Sequence, residues 1–211
     1  MPVIIRNYFD KKLVYYQIPK NGSTTIANMF NQADGLTVPK EELSITGRDS
    51  EYSYKITHVQ TGLQGPLHYE PIDCDISFAV KRDPIERFIS NYNNRIIFHN
   101  DLGRDLPGKP IITPSVNDFI KNFDSYITQH WIKIHFLPQH YYGGDTKDIT
   151  KIFTLQQMSD VAAMIASLAG KDIKVYHLQQ GGNTNKLHLS ADNIAWIKKY
   201  YEIDYDTGWC Y

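Results

Sequence analysis

Leu13-Val-Tyr-Tyr-Gln-Ile-Pro-Lys-Asn-Gly-Ser-Thr-Thr-Ile26 runs an apolar segment directly into a loop holding one lysine, one glycine and three consecutive hydroxyl residues. The pattern predicts a strand over 13–18 and a helix over 23–32. A strand that stops at Pro19 exposes the N–H groups that follow it. A helix beginning near Ser23 aims its unpaired first-turn donors and positive dipole end at the same spot. Gly22 lets the backbone approach a ligand closely, Lys20 adds a cation, and Ser23, Thr24 and Thr25 add hydroxyl donors. This is the layout of a cradle for a phosphate-like anion. A strand-to-helix turn whose hydroxyls only cap the helix would use the same residues.

A second strand-to-helix junction lies at residues 76 to 96, Ile-Ser-Phe-Ala-Val-Lys-Arg-Asp-Pro-Ile-Glu-Arg-Phe-Ile-Ser-Asn-Tyr-Asn-Asn-Arg-Ile. Here a strand over 76–80 precedes a helix over 84–98. Asp83 suits the N-cap, Pro84 the first helical position, and Glu86 stands three after the cap as a capping box requires. Ile85, Phe88, Ile89, Tyr92 and Ile96 fall on one face and are expected to be buried. Asp83, Arg87, Ser90 and Asn94 share another, which leaves Ser90 open to a ligand. Arg82 lies at the carboxyl end of the strand, where open α/β sheets bind ligands, and a guanidinium there grips a phosphate with two parallel bonds. An ion pair for Arg82 and an ordinary helical position for Ser90 are the plainer alternatives.

The rest of the chain supplies alternating elements. A short strand is expected near Tyr54 to Thr57, and a Gly- and Pro-rich mobile loop from Asp101 to Pro114. Ser115 with Asp118 starts a helix. A strand over 149–154 leads into a helix over 155–169 stopped by Gly170, a strand over 173–178 follows, and Ser190 caps a last helix running to Glu202. Strands alternating with helices predict an α/β fold, P-loop-like, with a mostly parallel sheet flanked by helices on both faces and its ligand loops at the carboxyl ends of the strands.

Composition bounds the class. The 211 residues suffice for one core and are few for two, so a single domain over 1–211 is expected. Hydrophobic content of 42% and 15 tyrosines exclude a disordered chain and fit an aromatic core or a tyrosine-lined cleft. With 22 Lys and Arg against 23 Asp and Glu, there is no global basic field for nucleic acid. Locally, Lys81, Arg82, Arg87, Arg95 and Arg104 outnumber Asp83, Glu86 and Asp101, beside the candidate phosphate site or simply on a solvated helix face. Cys74 and Cys210 are the only cysteines, far apart and in no metal-ligand spacing. No apolar run is long enough for a membrane span and the first residues lack signal-peptide anatomy, so a soluble, cytoplasmic protein is expected.

The two junctions resemble the sulfotransferases that use 3′-phosphoadenosine 5′-phosphosulfate (PAPS). Pro19-Lys-Asn-Gly-Ser-Thr-Thr25 is similar to that family's 5′-phosphosulfate loop, and Val80-Lys-Arg-Asp-Pro-Ile-Glu-Arg-Phe-Ile-Ser90 to its 3′-phosphate motif. His135-Phe-Leu-Pro-Gln139, with Tyr-Tyr-Gly after it, and the stretch from Leu189-Ser-Ala-Asp to Tyr200-Tyr-Glu-Ile-Asp-Tyr205 resemble the carbohydrate-type, Golgi-like branch. The resemblance implies PAPS as sulfuryl donor, no metal, and a carbohydrate or other hydroxyl-bearing acceptor. It implies that Lys20, Asn21, Gly22, Ser23, Thr24 and Thr25 hold the 5′ end of the donor, and that Arg82 and Ser90 hold its 3′-phosphate.

Charge builds on the bridging oxygen as the sulfuryl group leaves, by analogy with phosphoryl transfer, and Lys20 is the catalytic candidate for that oxygen. A sugar hydroxyl needs a base to take its proton. His58, at the end of Tyr-Lys-Ile-Thr-His, is the first candidate from the place where carbohydrate-type relatives keep a histidine; His68, His135 and Glu70 are its rivals. Gln139 is a candidate hydrogen-bonding group for acceptor or donor, or part of a buried turn after Pro138. The loop Asn183-Thr-Asn-Lys186 either closes over the nucleotide or simply connects. Loops 34–53, 60–72 and 99–114 are the candidate determinants of the acceptor. A P-loop kinase is disfavoured because its signature places the lysine after the second glycine, followed by a magnesium-binding Ser or Thr, whereas Lys20 precedes the single Gly22. An inactive nucleotide-binding module is the remaining alternative.

Overall fold

The computed structural model describes residues 3–36, 69, 71–176 and 187–210. In chain order the elements are β1 (Val3–Tyr8), β2 (Lys11–Tyr16), α1 (Ser23–Ala33), β3 (Ile76–Lys81), α2 (Pro84–Asn91), a π-helical segment (Tyr92–Phe98), α3 (Val116–Lys121), α4 (Phe123–Tyr126), α5 (His130–Phe136), α6 (His140–Gly143), β4 (Lys151–Thr154), α7 (Met158–Ala169), α8 (Ala191–Tyr200) and α9 (Glu202–Asp206). The chain forms two compact units. One comprises Met1–Lys81 and Tyr141–Gln180, the other Arg82–His140 and Gly181–Tyr211.

The first unit is built on a four-stranded sheet of order β1-β2-β3-β4. β1 and β2 pair antiparallel, while β2 with β3 and β3 with β4 pair parallel. This is the expected α/β class with a mostly parallel sheet. The central strand β2 buries Leu13, Val14, Tyr15 and Tyr16 in succession, the continuous apolar run of a strand covered on both faces. Leu13 and Tyr15 join Phe78 and Val80 in one core with Ile26, Met29 and Phe30 of α1 and Val161 and Ile165 of α7. Both helices present residues spaced three and four apart, the stripe of an amphipathic helix. Fully burying each such side chain contributes about 1.5–3 kcal/mol. The stacked rings of Tyr15 and Phe78, 4.8 Å between centroids, add the preference of an aromatic pair for offset geometry.

Two expectations are corrected here. β1 was not anticipated, and it forms the antiparallel edge of the sheet through the turn Phe9-Asp10, with Phe9 at a φ of 51°. The strand expected over 173–178 is absent from its described residues, 173–176. That stretch is held by a side chain instead: Gln32 Nε2 donates to Lys174 O and Lys174 N donates to Gln32 Oε1, each at 2.9 Å. One carboxamide thus offers the donor and acceptor that a neighbouring strand would have offered. The strand expected near 54–57 lies outside the described residues.

The second unit is helical and packs Phe88, Tyr92, Ile96, Phe119, Phe123, Phe136, Ile197 and Tyr201 into an aromatic core. The helix expected over 84–98 is α-helical only to Asn91 and continues as π-helix. Residues 101–114 are tied at both ends of the loop rather than simply open. Asn100 donates to Pro110 O at 2.8 Å and accepts from Ile112 N at 2.7 Å, Leu102 is buried, and the buried Asp101 pairs with Arg95. Ser115 and Ser190 cap α3 and α8 by accepting from Asp118 N and Asn193 N. The last helix breaks at Tyr201 into α8 and α9. Among the described residues no helix is long and apolar enough to cross a membrane.

Candidate active site

β2, β3 and β4 run parallel, so the segments that follow them leave from one edge of the sheet. The segment after β2 is the loop that the sequence singles out. It turns through two residues in the left-handed region, Lys20 at a φ of 69° and Gly22 at 75°. Gly22 is the N-cap of α1 and has no side-chain capping bond. The expected alternative, in which Ser or Thr hydroxyls cap this helix, is therefore not what ends it. The φ of 75° at residue 22 favours glycine, and a Cβ there would also displace the end of the Met158 side chain at the start of α7. The helix opens with Ile26 N donating to Gly22 O at 3.0 Å, and its first turn contains no acidic residue. The dipole end therefore presents a partial positive charge without a carboxylate of its own first turn beside it. Lys20, Ser23 and Thr24 are half-buried and Thr25 is buried.

Asn21 shows what holds the loop. It is fully buried, its backbone N donates to Ile18 O at 3.3 Å, and its side-chain Nδ2 donates to Val80 O at 2.7 Å. The side chain of Asn21, one of the residues expected to hold the donor, thus pins the loop to the carboxyl end of β3. Nothing in the sequence reveals this, because the partner lies 59 residues away.

Arg82 is the first residue after β3. Its Nε lies 3.7 Å from Glu86 Oε2, one turn on, and Glu86 is largely exposed. The plainer alternative of an ion pair is therefore present, in a form that contributes little to stability. Asp83 caps α2 as expected, accepting from Ile85 N at 2.9 Å and Glu86 N at 3.1 Å. Ser90 is half-buried two turns along the same helix. Arg87 departs from the expected ligand-facing side. It is fully buried and donates to Leu137 O at 2.8 Å and His135 O at 3.2 Å, closing the end of α5. A buried guanidinium is tolerated when its donors meet acceptors, and these two carbonyls near the helix terminus are such acceptors.

Gln139 is also corrected. Its side chain is fully buried, accepts from Arg82 N at 3.1 Å and donates to Arg82 O at 2.9 Å. The buried-turn alternative describes it, and the signal was the proline before it. Asp204 supports that turn by accepting from Gln139 N and His140 N at 3.0 and 2.9 Å. Burial pushes the Asp204 carboxyl up, opposed by Arg87 and those two N–H groups. His135 sits on α5 and is half-buried. His58, His68, Glu70 and the loop 183–186 lie outside the described residues. Among the described residues no cluster of three or more His, Cys, Asp or Glu is placed to hold a metal.

No curated protein sequence and no solved structure gives a match to this chain. Residues 7–206 match the sequence model described as the Sulfotransferase family. That span takes in β2, β3 and β4, the loop after β2, Arg82 and all of α2, and runs to the end of α9. The chain accordingly belongs to the sulfotransferase family.

Proposed function

We propose that the protein moves a sulfuryl group from PAPS to an acceptor hydroxyl, with a carbohydrate as the acceptor and no metal. The observation that supports this reading best is the 2.7 Å bond from Asn21 Nδ2 to Val80 O. It fixes the loop after β2 against the carboxyl end of β3, the edge at which parallel sheets bind ligands. The residues suit the donor. The left-handed turn at Lys20 and Gly22 and the carboxylate-free start of α1 fit phosphate and sulfate oxygens, and the guanidinium of Arg82, with Ser90, fits a 3′-phosphate.

In this reading the acceptor oxygen bonds to sulfur as the bond from sulfur to the 5′-phosphate oxygen breaks. The acceptor proton passes to His58, and the negative charge left on the phosphate is stabilised by Lys20. The leaving product is the 3′,5′-bisphosphate. The stretches 135–139 and 189–205, which resemble the carbohydrate-type branch, support a sugar acceptor.

Calorimetry tests the donor assignment. Adenosine 3′,5′-bisphosphate is expected to bind without added metal, and the analogue lacking the 3′-phosphate to bind about ten- to a hundredfold more weakly, the usual loss for hydrogen bonds to a charged group. Equal affinities would remove the assignment. Transfer of sulfate from PAPS to a panel of sugars tests the rest, and binding without transfer to any of them would mark a nucleotide-binding module.

A further inference from the structure

We infer that Gln139 is a positioning residue for Arg82, setting the main chain from which the guanidinium reaches the 3′-phosphate. The inference rests on the assignment of Arg82 proposed above. β3 ends its parallel ladder at Lys81, paired with Thr154, so the next peptide loses its strand neighbour. The Gln139 carboxamide takes that neighbour's place, its oxygen accepting from Arg82 N at 3.1 Å and its nitrogen donating to Arg82 O at 2.9 Å. The same nitrogen lies 3.4 Å from Trp209 O.

Gln139 is itself held. Pro138 precedes it, its own N–H goes to Asp204 at 3.0 Å, and the N–H of His140 goes to the other carboxylate oxygen at 2.9 Å. Both groups of one main-chain residue are thus clamped by a fully buried side chain. The Arg82 side chain approaches the exposed Glu86 at 3.7 Å. A fixed main chain is what a phosphate-gripping arginine requires, because misplacement of a binding group by a fraction of an ångström forfeits its hydrogen bonds.

The role is tested by binding two nucleotides to the wild type and to variants that include Gln139→Met and Arg82→Ala. Met matches Gln in length without its amide, and Gln139→Glu serves as the second variant, since an ionised carboxylate accepts from Arg82 N but cannot donate to Arg82 O. The quantity read is the ratio of affinities for adenosine 3′,5′-bisphosphate and adenosine 5′-monophosphate. In both Gln139 variants that ratio is expected to fall about tenfold, in the direction of Arg82→Ala, with monophosphate affinity changed less than about threefold. Adding Gln139→Met to Arg82→Ala is expected to change the ratio no further, because both act through one contact. A Gln139 variant that keeps the wild-type ratio, or that weakens both nucleotides alike, would make Gln139 a purely structural residue and overturn the inference alone. A wild-type protein that does not discriminate the two nucleotides would instead remove the 3′-phosphate assignment, and the role of Gln139 with it.

Discussion

Lys20 occupies a backbone region that non-glycine residues seldom enter, with a φ of 69°, at a cost of about 1–2 kcal/mol. Pro19 precedes it, and the buried Asn21 and the left-handed Gly22 follow it. Strain of this kind persists where the surrounding structure over-determines it, commonly at ligand clamps. Replacing Lys20 with Ala keeps the strained backbone and removes only the cation. Sulfate transfer is expected to fall at least about a hundredfold, with bisphosphate affinity changed only severalfold, because the charge acts on the transition state. Near-normal turnover with a raised donor requirement would make Lys20 a binding residue. His58→Ala is expected to bind the bisphosphate normally and to lose about 10²–10⁴-fold in turnover. As His58 is proposed to act as the neutral imidazole, wild-type turnover is expected to drop in acid where an ordinary histidine protonates, near about pH 6.5. A pH–rate profile that is flat through that region, or near-normal activity of the variant, would move the base elsewhere. At this scale the sequence made the left-handed turn around Gly22 and the Asp83 cap legible, since residue type and order carry them. It did not reveal that Asn21 and Arg87 turn inward, because each finds its partner between 48 and 59 residues away.

Helix starts were the best-read elements because capping is decided by neighbours in sequence. Asp83 takes two N–H groups of the first turn of α2, and through that turn it fixes the direction in which the helix leaves Arg82. Asp83→Ala is expected to destabilise the protein by about 1 kcal/mol, within the usual range for losing an N-cap, while Asp83→Asn retains most of the effect. Urea unfolding with an unchanged m-value would measure it. A midpoint unaffected by Asp83→Ala would show that the cap is energetically idle. Beyond the first turns, propensity was overruled. The segment after Asn91 winds as π-helix from Tyr92 to Phe98, with Tyr92 Oη donating to Pro114 O at 2.6 Å and Arg95 reaching the buried Asp101 at 3.3 Å. These attachments lie outside the helix, so no helical periodicity encodes them. The hairpin at Phe9-Asp10 was equally unreadable, because it lacks the Asn-Gly or Asp-Gly dipeptide that marks a two-residue turn.

Across the molecule, tyrosines tie stability to pH. Burial raises the phenols of Tyr8, Tyr15, Tyr16, Tyr69 and Tyr92 above their usual value, and pushes Tyr205 up to about 12. Each raised phenol favours the folded state while the unfolded chain is still protonated. This contribution is complete below about pH 10, the ordinary phenol value, and is lost as pH climbs through the folded-state values. Stability is therefore expected to decline steeply from pH 10 to beyond 12, with phenolate absorbance rising together with loss of circular dichroism. Unfolding stability that stays constant from pH 10 to beyond 12 would contradict it. Both units are affected, since Tyr15 lies in the core of the sheet and Tyr205 among the terminal helices. The sequence alone determined the α/β class, the order of its two strand-to-helix junctions and the family resemblance, all of which rest on residue type, period and spacing along the chain. Tertiary structure decided the edge strand β1, the replacement of a strand at Lys174 by the Gln32 carboxamide, and the clamp of Gln139 on Arg82. Those are contacts between residues distant in sequence, made because a buried N–H or carbonyl must find a partner wherever the fold brings one.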